Sequence, residues 1–186
     1  KEACEKYGAL LVFDETITGF RLAPGGAQQY FGVTPHLATF AKAMANGFQV
    51  AAITGPKNLM ELFATGGVLH GRTYNSQILS MAATIATLES ISVPGFHNAL
   101  NNKSTKLQEG IKKALADAGV EASVAGFPGF FHVGLGLTEM PREYRDLIAI
   151  DKERYRAFCH AMLKRGVRTL ERGAWFVSST HTDDIL

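Results

Sequence analysis

Two cysteines, Cys4 and Cys159, are all that the 186 residues hold, with no CxxC and no His/Cys cluster at metal-ligand spacing. That scarcity argues against a disulfide framework or a structural zinc module. Both cysteines read instead as small apolar fillers on helices, in keeping with a reducing cytoplasm. No apolar run is long enough to span a bilayer, and the N-terminal residues lack the pattern of a signal peptide. Net charge is equally slight: +2 from 19 basic and 17 acidic residues, spread along the chain, so nothing electrostatic points to nucleic acid. Hydrophobic residues at 46% exclude a disordered segment and allow an ordinary globular core.

Lys1 to Tyr7 reads as the last turns of a helix closed by Gly8. His181 to Leu186 reads as a Thr182 N-cap followed by acidic first-turn residues. A chain that opens inside a helix and stops as another begins reads as a piece of a longer polypeptide. In between, Ala9–Phe13, Leu37–Ala41 and Gln49–Thr54 are strand-like, the first two as continuous apolar runs of the kind covered on both faces. Arg21 to Pro35 reads as a loop around Pro24-Gly25-Gly26. Pro56 opens a short helix through Ala64 as its first helical residue. Gly66-Gly67 ends it, and His70 to Asn75 is a polar loop.

A long helix follows from Gln77 to Ile91, with Ile78, Met81, Ala82, Ile85 and Leu88 on one side. Pro94-Gly95 breaks the pattern, and composition shifts near Phe96. Residues 97–118 form a Lys-rich amphipathic helix. Beyond it come strands at 122–125 and 130–135, a helix at 151–164, and strands near 167–170 and 175–178. The whole is α/β, with a first domain over 1–95 and a smaller α+β domain over 96–186 that is incomplete at its C-terminus.

Asp14 closes the first apolar run, and Lys42, twenty-eight residues later, closes the second. Open α/β sheets place ligand contacts at the carboxyl ends of their strands. Taken singly, Asp14 suits a strand-end cap and Lys42 a solvated surface charge. Together they deliver a carboxylate and a partly desolvated amine to one sheet edge. Pyridoxal phosphate needs that pair: its aldehyde condenses with an amine, and its pyridinium nitrogen wants a negative partner. His70, His132 and His181 are scattered, whereas a metal needs converging ligands. Arg168 and Arg172 are candidates for a substrate carboxylate but also read as surface arginines. Trp175 and Phe176 read as core of the smaller domain.

The run Phe13-Asp14-Glu15-Thr16-Ile17-Thr18-Gly19-Phe20-Arg21 resembles the FDEVxTGFR signature of class III aminotransferases, in the branch that includes glutamate-1-semialdehyde aminomutase. Thr34-Pro35-His36-Leu37 through Lys42 resembles that family's TPDLTTLGK run, and His70-Gly71-Arg72-Thr73-Tyr74-Asn75 with Met81-Ala82-Ala83 resembles its GTxxGNPxAMAA segment. The resemblance implies a fold-type-I, pyridoxal 5'-phosphate-dependent transferase. Residues 1–95 would then be the cofactor-binding latter half of the large domain and 96–186 most of the small domain. It also implies that Lys42 forms the Schiff base and shuttles protons, and that Asp14 pairs with the pyridinium nitrogen. Thr16 would lie against the ring. Thr73 would hold the phosphate of a neighbouring subunit's cofactor, which makes a homodimer.

The implied reaction moves an amino group between an amino acid or amine and a keto acid or aldehyde. Intramolecular aminomutase transfer is a close alternative, a racemase or epimerase a more remote one, and a truncated homologue serving only dimerisation is a reading of a different class. Several positions depart from the family pattern. Thr16 replaces valine, and Ile17 removes a side-chain hydrogen bond to the cofactor's 3-hydroxyl, which favours the aminomutase-like branch. Met44 to Phe48 replaces a glycine-rich loop, Arg72 stands in a slot that is often glycine, and Gln77 in one that is often proline. The family's phosphate loop and ring-stacking aromatic lie upstream of the lysine, outside this stretch. Gly66-Gly67 and Gly71 form a weak substitute.

Overall fold

A computed structural model of the chain describes every residue except Arg72 and Ala149, so the expectation for Arg72 lies outside the described residues. The chain divides into two compact units, Lys1–His97 and Asn98–Leu186.

In the first unit a three-stranded mixed sheet runs β1 (Val12–Glu15), β2 (Leu37–Phe40), β3 (Ala52–Thr54) in that spatial order. The pair β1–β2 is parallel, with Asp14 opposite Thr39, and β2–β3 is antiparallel. The strands are shorter than the apolar runs that announce them. Ala9 to Leu11 stay outside the ladder. Leu11 instead donates its N–H to His36 Nδ1 at 2.8 Å, and its carbonyl accepts from the N–H groups of His36 and Leu37. A short helix α1 (Glu2–Lys6) precedes the sheet, followed by Gly8 at φ 63, the left-handed position that ends helices.

The segment read as a loop contains a helix, α2 (Gly26–Phe31). Its start is held from β1. Glu15 is wholly buried; Oε2 accepts from Ala27 N–H at 2.8 Å and Oε1 from Gln28 N–H at 2.9 Å, while Thr18 Oγ1 donates to Oε2 at 2.5 Å. A carboxylate there takes up donors that a first helical turn leaves unpaired, and it meets the positive end of the helix dipole. Gly26 is required beside it: φ is +69, and a Cβ would stand 2.5 Å from Glu15 Oε2.

Helix α3 (Lys57–Ala64) takes Pro56 as its extended N-cap, one residue outside the expected first helical position. Helix α4 (Ile78–Ile91) turns its small hydroxyls inward. Ser80 and Thr84 are buried, whereas Ile78, Leu79, Met81 and Ile85 are exposed. Ser80 Oγ donates to the Gln49 carbonyl at 2.9 Å, tying the start of α4 to the segment before β3.

Helix α5 (Phe96–Asp117) leads into the second unit, an antiparallel sheet β4 (Ala122–Phe127), β5 (Phe130–Leu135), β6 (Ala174–Phe176) with β5 central. Pro128-Gly129 turns the first hairpin, Gly129 at φ 88. The expected strand over 167–170 does not form. Ala174–Phe176 pairs with β5, and Val167 to Leu170 lies outside the ladder. Two helices complete the unit: α6 (Tyr144–Ile148), which the sequence reading did not anticipate, and α7 (Lys152–Leu163). Asp151 caps α7 by accepting from Arg154 N–H at 2.9 Å. The core here is Val124, Phe131, Val133, Leu135, Tyr155, Cys159 and Val177. Trp175 Nε1 donates to the buried Tyr155 hydroxyl at 3.1 Å.

Because Glu15 fastens β1 to α2, Glu15→Ala is expected to lower unfolding stability by about 3 kcal/mol, leaving the buried Ala27 amide and the half-buried Gln28 amide unpaired. Chemical denaturation checks this. A loss below about 0.5 kcal/mol would show that the cap is dispensable.

Candidate active site

Asp14 and Thr39 meet side by side where the parallel strands end. Asp14 Oδ1 accepts from Thr16 N–H at 3.0 Å and from Thr39 Oγ1 at 3.3 Å. These bonds, those from Thr16 foremost, hold the exposed Asp14 carboxyl below the ordinary carboxylate range, and attraction to the Lys42 ammonium adds to them. The Lys42 charge is the smallest of the influences on Asp14, and Asp14 is not among the residues that line the cavity beside Lys42. Thr16 follows directly, half-buried, its backbone fixed by Asp14.

Lys42 departs from expectation in one respect. It is exposed rather than partly desolvated, because β2 stops at Phe40 and the chain turns out of the sheet. Lys42 opens a short 3₁₀ turn (Lys42–Met44) with φ 47, a left-handed conformation that costs a non-glycine residue about 1 kcal/mol or more. The turn sends Lys42 into the wall of an open cavity of about 420 Å³, shared with Arg21, Asn46, Phe48, Gln49 and Val50. Asn46 at φ 45 and Phe20 at φ 60 are also left-handed. Phe20 is held so by two partners: its ring lies 5.3 Å from that of Phe40, and its carbonyl accepts from His97 Nε2 at 3.0 Å.

Thr73 is not brought to this cavity. It lies exposed in a polar turn, as do Gly66, Gly67 and Gly71 in their loops. His70 packs edge-on against Phe63, His132 sits on β5, and His181 Nδ1 accepts from Ser178 N–H. Arg168 and Arg172 belong to the second unit, both exposed. Two residues of the first motif escaped the sequence reading as site components. Glu15 is the buried anchor, and Arg21 is half-buried in the Lys42 cavity wall, where burial pulls its guanidinium below its ordinary value. Both stand in the run that carries the resemblance, which was the available signal.

Residues 1–183 match the sequence profile of the family described as Aminotransferase class-III. This chain belongs to that family. Over 98% of its length it is 42% identical to a glutamate-1-semialdehyde 2,1-aminomutase of Desulfatibacillum aliphaticivorans, of which it covers 44%. Among solved structures it is similar to a β-phenylalanine aminotransferase of Variovorax paradoxus, with TM-score 0.90 and 29% identity over 99% of this chain and 43% of that one. An omega-transaminase of Sphaerobacter thermophilus gives TM-score 0.87 and 28% identity over 98% of this chain and 42% of that one. The chain thus spans less than half the length of these relatives. Its class-III fold is the second half of a fold-type-I large domain, with the mixed sheet, joined to most of the small α+β domain.

The depressed Asp14 titration has a signed consequence. A folded value below 3.8 means that the Asp14 contribution to stability is complete above that pH and is lost as pH falls through the folded value. Carboxyl NMR is expected to show Asp14 titrating below 3.8 in the native protein and rising toward it on Thr16→Pro, which removes the backbone donor.

Proposed function

We propose that this chain belongs to a pyridoxal-5'-phosphate-dependent enzyme that moves an amino group between an amino acid or amine and a keto acid or aldehyde. What carries the reading is the placing of Asp14 on β1 and of Lys42 two residues past the end of its parallel neighbour β2, in a chain of the class-III family. The donor set fits the cofactor: one amine in an open cavity, and one carboxylate that stays charged at any physiological pH. When bound, the cofactor supplies a ring that accepts the electron pair left on the substrate carbon.

Lys42 Nζ would hold the cofactor through its aldehyde and, once the substrate's amine has displaced it there, would serve as the base and acid that moves a proton from the substrate carbon. Its exposure leaves the amine room to swing between those tasks. Asp14, its orientation fixed by the bonds from Thr16 and Thr39, would hold a proton on the ring nitrogen. Thr16 would lie against one ring face, and Thr73 would reach the cofactor phosphate of a second copy in a homodimer. The exposed apolar face of α4, beginning four residues after Thr73–Tyr74, supports such an assembly. The setting proposed is cytoplasmic; among the described residues no single helix is long and apolar enough to cross a membrane.

Intramolecular transfer of the aminomutase kind is the second reading, favoured by the 42% identity to an aminomutase and by Ile17 in place of a hydrogen-bonding residue. A screen of donors and acceptors, run beside a single-substrate isomerisation assay, separates the two. For the shared chemistry, borohydride reduction is expected to fix the cofactor to the Lys42 peptide, and Lys42→Ala to abolish both that label and turnover by a factor on the order of 10⁴. Label on any other lysine would end the proposal.

A further inference from the structure

The turn that follows Lys42 contains a peptide bond able to react with its own side chain. Asparagine is chemically labile, most of all where the next residue is glycine. Of the six asparagines in the chain, only Asn46 stands before a glycine. Asn46 and Gly47 line the cavity together with Lys42, and no acidic residue stands in that lining. They are the centre of a turn from Ala45 to Phe48, with φ 45 and φ 110, the paired positive values that Asn-Gly turns adopt. A single bond closes the turn, from Phe48 N–H to the Ala45 carbonyl at 3.2 Å. Ala45 is buried, whereas Asn46, Gly47 and Phe48 are exposed.

Among the described residues nothing bonds the Asn46 side-chain amide or the Gly47 N–H. The space beside Gly47 is open as well, since an added Cβ there would meet no atom within 4 Å. The other asparagines are placed differently. Asn58, Asn98, Asn101 and Asn102 lie in α3 and α5, where the helix fixes the backbone. Asn75 is exposed in a turn but precedes Ser76, whose Cβ crowds the same approach.

We propose that Asn46-Gly47 is a self-modification site, at which the asparagine becomes an acid beside Lys42. The Gly47 nitrogen attacks Asn46 Cγ as its proton passes to water. An N–Cγ bond forms, the Cγ–Nδ2 bond breaks, and Nδ2 leaves as ammonia with a proton returned from water. The cyclic imide then adds a water and opens on either side, to aspartate or to its isoaspartyl isomer. The sum is an amide and a water giving a carboxylate and ammonium, with nothing oxidised or reduced. Opening the single bond across the turn frees the backbone for the attack. The new carboxylate shares the cavity with the Lys42 ammonium, and attraction favours the charged, non-nucleophilic form of that amine. Neither step involves a cofactor, so the modification stands or falls apart from the transfer chemistry.

The protein expressed from its natural gene is held in mildly alkaline buffer and its peptides are mapped by mass spectrometry, with isoaspartate counted by methyltransferase labelling. The Asn46 peptide is expected to turn acidic at least about tenfold faster than the Asn75 peptide, because glycine leaves the attack unhindered. Asn46→Gly suits φ 45 and has no amide to lose, so it is expected to leave no isoaspartate in this segment. In Asn46→Asp, stripped of any aldehyde cofactor, acylation of Lys42 is expected to slow by about two- to fivefold while that of the exposed Lys57 holds. An Asn46 amide that outlasts Asn75 in the native chain would overturn the modification. Lys42 acylated at the wild-type rate in Asn46→Asp would overturn its effect on the cavity. Should either variant fail to fold, the wild type decides alone, through the Asn46 and Asn75 rates and through Lys42 acylation before and after ageing.

Discussion

One buried carboxylate organises the first unit. Glu15 ends β1 and at the same time receives the first amides of α2 and the hydroxyl of Thr18. An unpaired charge in that position would be costly, and three donors converging on it remove the penalty. The geometry that follows is tightly constrained. With Glu15 fixed inward, the alternation of the strand turns Asp14 outward to the sheet edge, where Thr16 and Thr39 hold it charged. The same anchor sets the turn through Gly19, whose N–H returns to the Glu15 carbonyl at 2.8 Å, and so sets where Phe20 and Arg21 emerge.

The second strand reaches the site by a different device. β1 ends in a hydrogen-bonded knot, whereas β2 ends in backbone conformations that side chains avoid. Lys42 and Asn46 are both left-handed, and buried Ala45 lies between them. Such a segment persists only because its surroundings hold it: α4 packs against the turn, and Ser80 grips the Gln49 carbonyl. The two halves of the candidate site are therefore supported by polar bonds from elements remote in sequence, and neither rests on local propensity.

That difference explains what could be read from residues alone. Apolar runs ending on Asp14 and Lys42 were visible in composition, but the cover expected on both faces is not seen on the first: Leu10 and Val12 are exposed, while β2 buries alternate residues. The amphipathic α5 and the β4–β5 hairpin were visible for similar reasons of periodicity and turn chemistry. α2 was hidden because its cap comes from a residue twelve positions earlier, and its own sequence, Gly26-Ala27-Gln28-Gln29-Tyr30-Phe31, opens on a glycine that follows Pro24-Gly25 and reads with them as a loop. Exposure of Lys42 was hidden too, since no composition records that a strand stops two residues short and the chain turns left-handed. Val167 to Leu170 and Ala174 to Phe176 both read as strands, and local patterning cannot decide that the second of them pairs with β5 while the first stays outside the ladder.

Helix α4 inverts the usual arrangement, with Ser80 and Thr84 inside and Ile78, Leu79 and Ile85 outside. Its inner hydroxyls are satisfied close by, Ser80 on Gln49 and Gln77, Thr84 on the carbonyl one turn back. Tolerance to change is inverted with it. Greasy replacements at the two hydroxyl positions would strand a carbonyl and crowd a contact built for small groups, while the aliphatic flank can accept polar substitutes without disturbing this unit. Any selection that keeps that flank aliphatic therefore acts through something laid against it, and the helix records an external surface in its own residues.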